Sequence, residues 1–568
     1  GNINSREYFI DGSLRQSLDN FAEGLSAEVK ISYNNYGSYV ENEQKDFLYE
    51  AIRPVRDPEG NITDTTVTQY GQNTDLDYSD YFGQQRRQAN VVGKLDYARS
   101  FGDDELKAMV LFHQDGRVLR DFDNVYNRRN FAANVHYGLN GKYYFDIAAS
   151  YSGNNLLPSG ERYNFFPAVS AAWLLSREGF LKDATFIDLL KVRGSWGVVW
   201  SELLPTNNPH IQSYNGGRNY WFKNTNIVYD GFIEGRLPTR DFTVETSNKM
   251  NAGIEIGLFE KLNLTADLFY SRRTNILTVS SGHVSDVIGI DDPLDTNGIV
   301  ENRGVEAGLI WQDAFGDFAY YIGGQFSFTR NKIVEMNEAF RPYPYLRSTG
   351  RPVGQWFGLE AIGFFEDEND IATSPKQVFS EVRPGDIKYR DQNGDDIINE
   401  FDEVALGYAG AYPEIYFSAS LGFDYKGFSI SALFQGTGNY TAYLNTQSVY
   451  WPLRDNNTIS TYYYNNRWTP ETAGSATLPR LTTKDNDNNF RPNSLWLVDR
   501  SYIKLRTLEV SYSLPVSVIQ NWGMDNIRLF VQGRNLLSLD DIPALDPEYL
   551  TASYPLMRAY NMGIDIAF

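Results

Sequence analysis

The sequence predicts an all-β chain, most of an antiparallel transmembrane β-barrel, and three observations predict it. Apolar and polar residues alternate with period two from near the start to the last residue. Aromatic residues make up 15% of the chain, with 39 Tyr, 35 Phe and 10 Trp. The final segment, Met562-Gly563-Ile564-Asp565-Ile566-Ala567-Phe568, alternates and closes on an aromatic ring, the usual end of an outer-membrane barrel strand.

The alternation is clearest in four segments. In 143–151, Tyr143, Phe145, Ile147, Ala149 and Tyr151 share a face opposite Asp146 and Ser150. In 262–271, Leu262, Leu264, Ala266, Leu268 and Tyr270 oppose Asn263, Thr265, Asp267 and Ser271. In 415–424 and 428–435, Phe417, Leu421, Ile430 and Phe434 oppose Ser418, Ser420, Ser429 and Ser431. Similar patterns near 27–33, 89–97, 106–112, 131–137, 168–174, 190–196, 250–258, 305–311, 318–328, 502–514, 526–534 and 562–568 bring the expectation to about sixteen strands. A soluble sandwich alternates too. The connections decide: 137–143 and 424–428 are tight turns, whereas 198–248, 330–414 and 436–500 are long, and short turns at one end with long loops at the other are the habit of a membrane barrel. One domain over 1–568 is expected, since no Ser/Gly linker divides the chain.

Bulk properties agree. Tyr and Trp place an apolar body and a polar tip at a membrane–water boundary. The mean hydropathy of −0.43 fits strands with one polar face and loops in water. No apolar run approaches the roughly 18 residues of a membrane helix. The chain has no cysteine, which removes disulfides, thiolate metal sites and cysteine nucleophiles. A net charge of −21 disfavours nucleic acid as a partner. No signal-peptide pattern opens the chain, so an exported protein is expected to have begun upstream of Gly1.

One local motif carries metal chemistry. Asp391, Asn393, Asp395 and Asn399, with the Ile397 carbonyl and Asp402, space oxygens as a calcium loop does. Asp396 stands where the sharp-turn glycine belongs, and Asp402 is shorter than the usual glutamate. Two readings stand: a Ca2+ loop that stiffens an external segment, or an ion-free turn built on Asx side chains. The four histidines, His113, His136, His210 and His283, have no metal spacing. The carboxylate pairs Asp103/Asp104 and Asp291/Asp292 read as solvated turns, so no catalytic residue and no enzyme is expected.

A run of phrases resembles the SusC/RagA type of TonB-dependent transporter of Bacteroidota. They are RYNFFPAVSAAWLLSREGFLK (162–182), LLKVRGSWG (189–197), ENRGVEAGL (301–309), GRPVGQWFGLEAIGFF (350–365), RPGDIKYRDQNGDDIINEFDE (383–403), ISALFQGTGNY (430–440), WLVDRSYIKLRTLEVSYSLP (496–515), IRLFVQGRNLL (527–537), LDPE (545–548) and YNMGIDIAF (560–568). The resemblance implies a 22-strand barrel filled by an N-terminal plug, with the plug, TonB box and first strands expected to lie outside this sequence. It implies an outer-membrane importer of oligosaccharide or oligopeptide, a SusD-like lipoprotein lid, energy from the TonB complex, a lipid and lipopolysaccharide surround, and a dimer of transporter–lipoprotein pairs. A passive porin or structural barrel is the alternative. Aromatic residues in two loops, Trp200, Tyr220 and Trp221 in one and Tyr450 and Trp451 in the other, suit substrate recognition or packing against the lid.

Overall fold

The computed structural model describes residues 2–568 apart from 59–61, 120–124, 202–207, 218, 222–227, 230, 240, 281–286, 288, 455–456, 552–553 and 555; the side chains of Tyr220, Trp221, Val228, Tyr229 and Asn521 also lie outside the described set. Seventeen strands carry the antiparallel sheet structure. In chain order they are β1 Asn2–Ser17, β2 Leu25–Gln44, β3 Asp77–Phe101, β4 Asp104–Leu119, β5 Tyr126–Leu139, β6 Tyr143–Asn154, β7 Tyr163–Leu174, β8 Ile187–Trp200, β9 Thr246–Leu258, β10 Leu262–Val279, β11 Leu294–Phe315, β12 Phe318–Glu335, β13 Ile415–Tyr425, β14 Phe428–Gly438, β15 Tyr502–Ser513, β16 Asn526–Asp540 and β17 Ala559–Ala567.

The residues fall into two compact units, one of 1–138 with 146–167, the other of 139–145 with 168–568. In the first, β1 through β5 form an antiparallel meander in which each strand pairs with the next. In the second, β7 through β17 do the same. Connections alternate along the chain. The turns after β3, β9, β11 and β13 take two or three residues, while those after β2, β8, β12, β14 and β16 are long. The β13–β14 hairpin turns on Lys426 (φ 49°) and Gly427 (φ 84°), two left-handed residues that match the right-handed strand twist.

One strand face is apolar and open. Leu268 is 63% exposed, Val531 58% and Ile564 62%, on the side opposite Asp267, Gln532 and Asp565. An open apolar surface of this extent needs lipid. Near the short turns of the second unit the rings form a girdle: Tyr143 stacks on Trp173, Phe186 meets Phe259, and Phe315, Tyr320, Phe318, Phe423 and Phe428 follow one another with centroids 5.9–6.5 Å apart. Trp311 donates to the Tyr320 hydroxyl at 3.0 Å. Amphipathic rings at strand ends are how a barrel marks the membrane boundary.

Two features differ from the sequence reading. Strand β1 escaped it because both of its faces are mixed: Ile3 and Phe9 lie on one side, Tyr8, Ile10 and Leu14 on the other. The strands are also longer than the alternating segments. The pattern of 89–97 is the inner part of the 25-residue β3, since a strand needs apolar alternation over only about 9–11 residues to cross the bilayer.

Candidate functional site

The long connections of the second unit fold into a packed body with its own core. Leu444, Tyr450, Tyr463, Leu478, Phe490 and Trp496 form one cluster, from the loop after β14. Leu359, Ile387, Tyr389 and Ile398 form another, from the loop after β12. Leu495 packs against both. Backbone bonds stitch the loops: the Leu359 amide donates to Pro492 O at 3.0 Å and the Ser494 amide to Leu359 O at 2.9 Å. Apolar burial supplies the drive and the cross-loop bonds fix the register.

A buried polar network lies beside these clusters. Asp386 has no exposed surface. Its carboxylate accepts from Asn489 Nδ2 at 2.9 Å, Asn486 Nδ2 at 3.1 Å and the Arg383 amide at 2.8 Å. Arg480 Nε lies 2.8 Å from Oδ1 but off the hydrogen-bond direction; the aligned bond runs from Nη2 to Oδ2 at 3.1 Å. Asn488 donates to Ile387 O at 2.9 Å and accepts from Gln377 at 2.7 Å, and Gln377 Oε1 accepts the Tyr389 amide at 2.8 Å. Asn493 Nδ2 donates to the Tyr389 hydroxyl at 2.9 Å. Burial pushes the Tyr389 phenol far above the ordinary tyrosine range, so it stays neutral. Buried amides of this kind hold one geometry because each side-chain amide nitrogen named here has an acceptor.

Gly385 shows how tightly the body is closed. It sits at φ +88°, and a Cβ there would lie 2.3 Å from Trp468 Cε3. Gly385→Ala is therefore expected to cost the loop body about 2–4 kcal/mol through left-handed strain and overpacking. Hydrogen exchange at the Ile387 and Tyr389 amides measures it; unchanged protection would mean that the Trp468 ring yields freely.

In the acidic loop 391–402 the chain turns through two left-handed residues, Gly394 at φ 78° and Asp396 at φ 60°. Its oxygens are engaged by amides. Asp391 accepts from Gly394 N at 2.7 Å and Asp396 N at 2.8 Å. Asn393 Oδ1 takes Asp395 N at 3.0 Å, and Asp395 Oδ1 takes Ile397 N at 2.9 Å. Asn399 Oδ1 takes Phe401 N at 2.7 Å. Asp402 has no exposed surface and accepts from Gln392 N and Asn399 N, both at 2.9 Å. Among the described residues no group of three or more His, Cys, Asp or Glu converges as a metal set. Because the loop closes on its own amides, adding EGTA to the protein is expected to leave its Tm unchanged. A fall reversed by Ca2+ would install the cation.

The aromatic candidates separate. Tyr450 is fully buried and its hydroxyl donates to Pro543 O, so its ring belongs to the core of the loop body. Trp451 is partly buried against Phe490 at 5.4 Å, and the Arg454 guanidinium lies 5.5 Å from its centroid. Trp200 ends β8 and is half-buried. Tyr220 and Trp221 pair with 228–229 as a short ribbon, but their side chains lie outside the described residues. His136 bonds Asp146 at 2.8 Å and Glu105 at 3.0 Å; His283 lies outside the described residues.

A second cluster, unnoticed in the sequence, straps the connection 541–558 to β15. Lys504 Nζ reaches Asp546 at 2.6 and 2.7 Å and Glu548 at 2.9 Å. Tyr502 donates to Glu548 at 2.9 Å and Arg506 pairs with it. The phrase LDPE held both acids; nothing local in it pointed to a lysine about forty residues away.

No protein-family profile matches the chain. It is 26% identical over 469 residues to TonB-dependent receptor P26 of Formosa agariphila, covering 77% of this chain and 46% of that protein. It is 20% identical over 551 residues to TonB-dependent receptor SusC of Bacteroides thetaiotaomicron, covering 88% of this chain and 50% of that protein. The structure of the RagAB peptide transporter superposes with a TM-score of 0.73 at 16% identity, over 100% of this chain and 62% of that one. The chain thus spans about half the length of the curated relatives it matches, and its fold is that of an antiparallel transmembrane β-barrel.

Proposed function

We propose that this chain, an integral outer-membrane barrel similar to TonB-dependent receptors of the SusC kind, is the wall and mouth of a nutrient importer. It takes an oligosaccharide or an oligopeptide, works with a SusD-like lipoprotein lid, and draws its energy from TonB. The observation that carries this reading is that similarity to TonB-dependent receptors runs through 77–88% of the chain. The packed loop body supports the lid: a preformed surface pays no ordering entropy when a partner docks. No step in this reading makes or breaks a covalent bond; the wall positions the ligand and the energy is supplied from elsewhere.

The test uses the full-length receptor in an outer membrane. A surface lipoprotein should copurify with it. Uptake of a fluorescent oligosaccharide or oligopeptide library should stop when TonB is deleted or the inner membrane is uncoupled. Uptake that continues at the same rate without TonB would instead identify a passive pore.

A further inference from the structure

We infer that the polar face of the wall carries a cation-accepting subsite centred on Glu306, suited to an ammonium or guanidinium group on a passing ligand. The inference rests on the importer reading, since it needs a ligand that travels along the inner wall.

A cavity of about 590 Å³ opens on this face. Asp267 stands opposite Glu306, Glu306 opposite Ser327, and Gln325 opposite Ser418. Four successive strands therefore point these side chains to one side of the sheet. Gly308 lines the cavity, and Gly253 lies next to Asp267 on the adjoining strand; both leave room for the polar side chains around them. A Cβ on Gly308 would lie 2.9 Å from Thr265 Oγ1 and 3.0 Å from Gln325 Oε1, and one on Gly253 would lie 2.6 Å from Asp267 Oδ1.

The charges are unevenly matched. Arg193 Nη2 holds Asp267 Oδ2 at 2.7 Å, and Arg193 and Lys191 both reach Glu255, at 3.1 and 3.2 Å. Glu306 is exposed to the cavity and has no cationic partner among the described residues. The neighbouring Gln325 amide and Ser327 hydroxyl make no side-chain hydrogen bond among the described residues. What remains open is one carboxylate flanked by neutral acceptors in a concave wall, where walls of low dielectric focus the field of an unmatched charge. A guanidinium or ammonium brings several donors and one positive charge, and so satisfies that set.

The chain contains no cysteine, so Ser327→Cys places a single thiol in it, beside Glu306. In the full-length receptor in detergent, cationic and anionic methanethiosulfonates of equal size should label this thiol at different rates, the cation roughly tenfold faster at low salt. Adding Glu306→Gln should bring the two rates together, and Glu306→Asp should restore the difference. Trilysine should slow labelling and triglycine should not. Equal rates in the parent, a preference that survives Glu306→Gln, or equal protection by the two peptides would overturn the subsite. So would a thiol that reacts with neither reagent, because the rest of the receptor then covers the cavity. Labelling does not depend on transport. Its failure leaves the importer reading standing, and uptake without TonB would remove that reading while leaving this result in place.

Discussion

Asp386→Ala is expected to loosen the loop body while leaving the barrel strands intact. The substitution removes the acceptor shared by Asn486, Asn489, Arg480 and the Arg383 amide, all in a place where Asp386 itself has no exposed surface. The guanidinium of Arg480, with 21% of its side chain exposed, loses its counter-charge. Breaking one partner out of a buried pair costs about 3–5 kcal/mol, because the remaining charge stays desolvated. Hydrogen exchange should then rise together in 377–389 and 486–496, segments far apart in sequence but joined by Asn488 and Asn489. Removing both charges in Asp386→Ala/Arg480→Met should recover part of that loss, giving a coupling of about 1–3 kcal/mol. Protection lost in one segment alone would show that the two loops fold independently, and no coupling would show that the pair is incidental.

The wall of this molecule was readable because a strand in lipid must repeat every two residues. Leu262 to Tyr270 and Phe417 to Phe423 declare their faces, and Phe568 closes a strand that pairs through Ala567 with Asn526. The loop body was not readable, because its order lies in pairings about a hundred residues apart with no period. The run Asp485-Asn486-Asp487-Asn488-Asn489 looks like a solvated turn. In the structure Asn488 and Asn489 are fully buried, since their amides are what satisfies Asp386 and the Ile387 backbone. The same limit governs the acidic loop. Oxygens at alternate positions serve a cation or a series of Asx turns, and spacing alone does not separate the two. Among the aromatic candidates, Tyr450 carried the same signal as its neighbours but faces the core. The carboxylates of the wall were visible one by one; the unequal matching of Asp267 and Glu306 appears only with the cross-strand register.

Lys504→Met should free the connection 541–558 from β15. The Lys504 side chain is 3% exposed and its ammonium is shared by Asp546 and Glu548; its removal leaves Asp546 without a cation among the described residues and Glu548 with Arg506 alone, a loss of about 3–5 kcal/mol in docking the strap. Exchange at the Glu548 and Tyr549 amides, or protease cleavage within 541–558, reads it. The strap should also respond to acid. Burial pushes the Glu548 carboxyl up, but hydrogen bonds from Arg506, Lys504 and Tyr502 outweigh it and hold the group at about 2, against an ordinary value of 4.5. A carboxylate depressed in the folded state contributes stability that is fully present above its unfolded value and lost as pH falls toward the folded one. Strap protection should therefore hold above pH 4.5 and decline between 4.5 and about 2. Glu548→Gln should lower protection at neutral pH and flatten that decline. A wild-type strap equally protected at pH 6 and near pH 2 would mean that the chain around Pro547, held by Arg500 Nε on its carbonyl at 2.5 Å, docks without the charges, and the ion cluster would then be a consequence of the docking and not its cause.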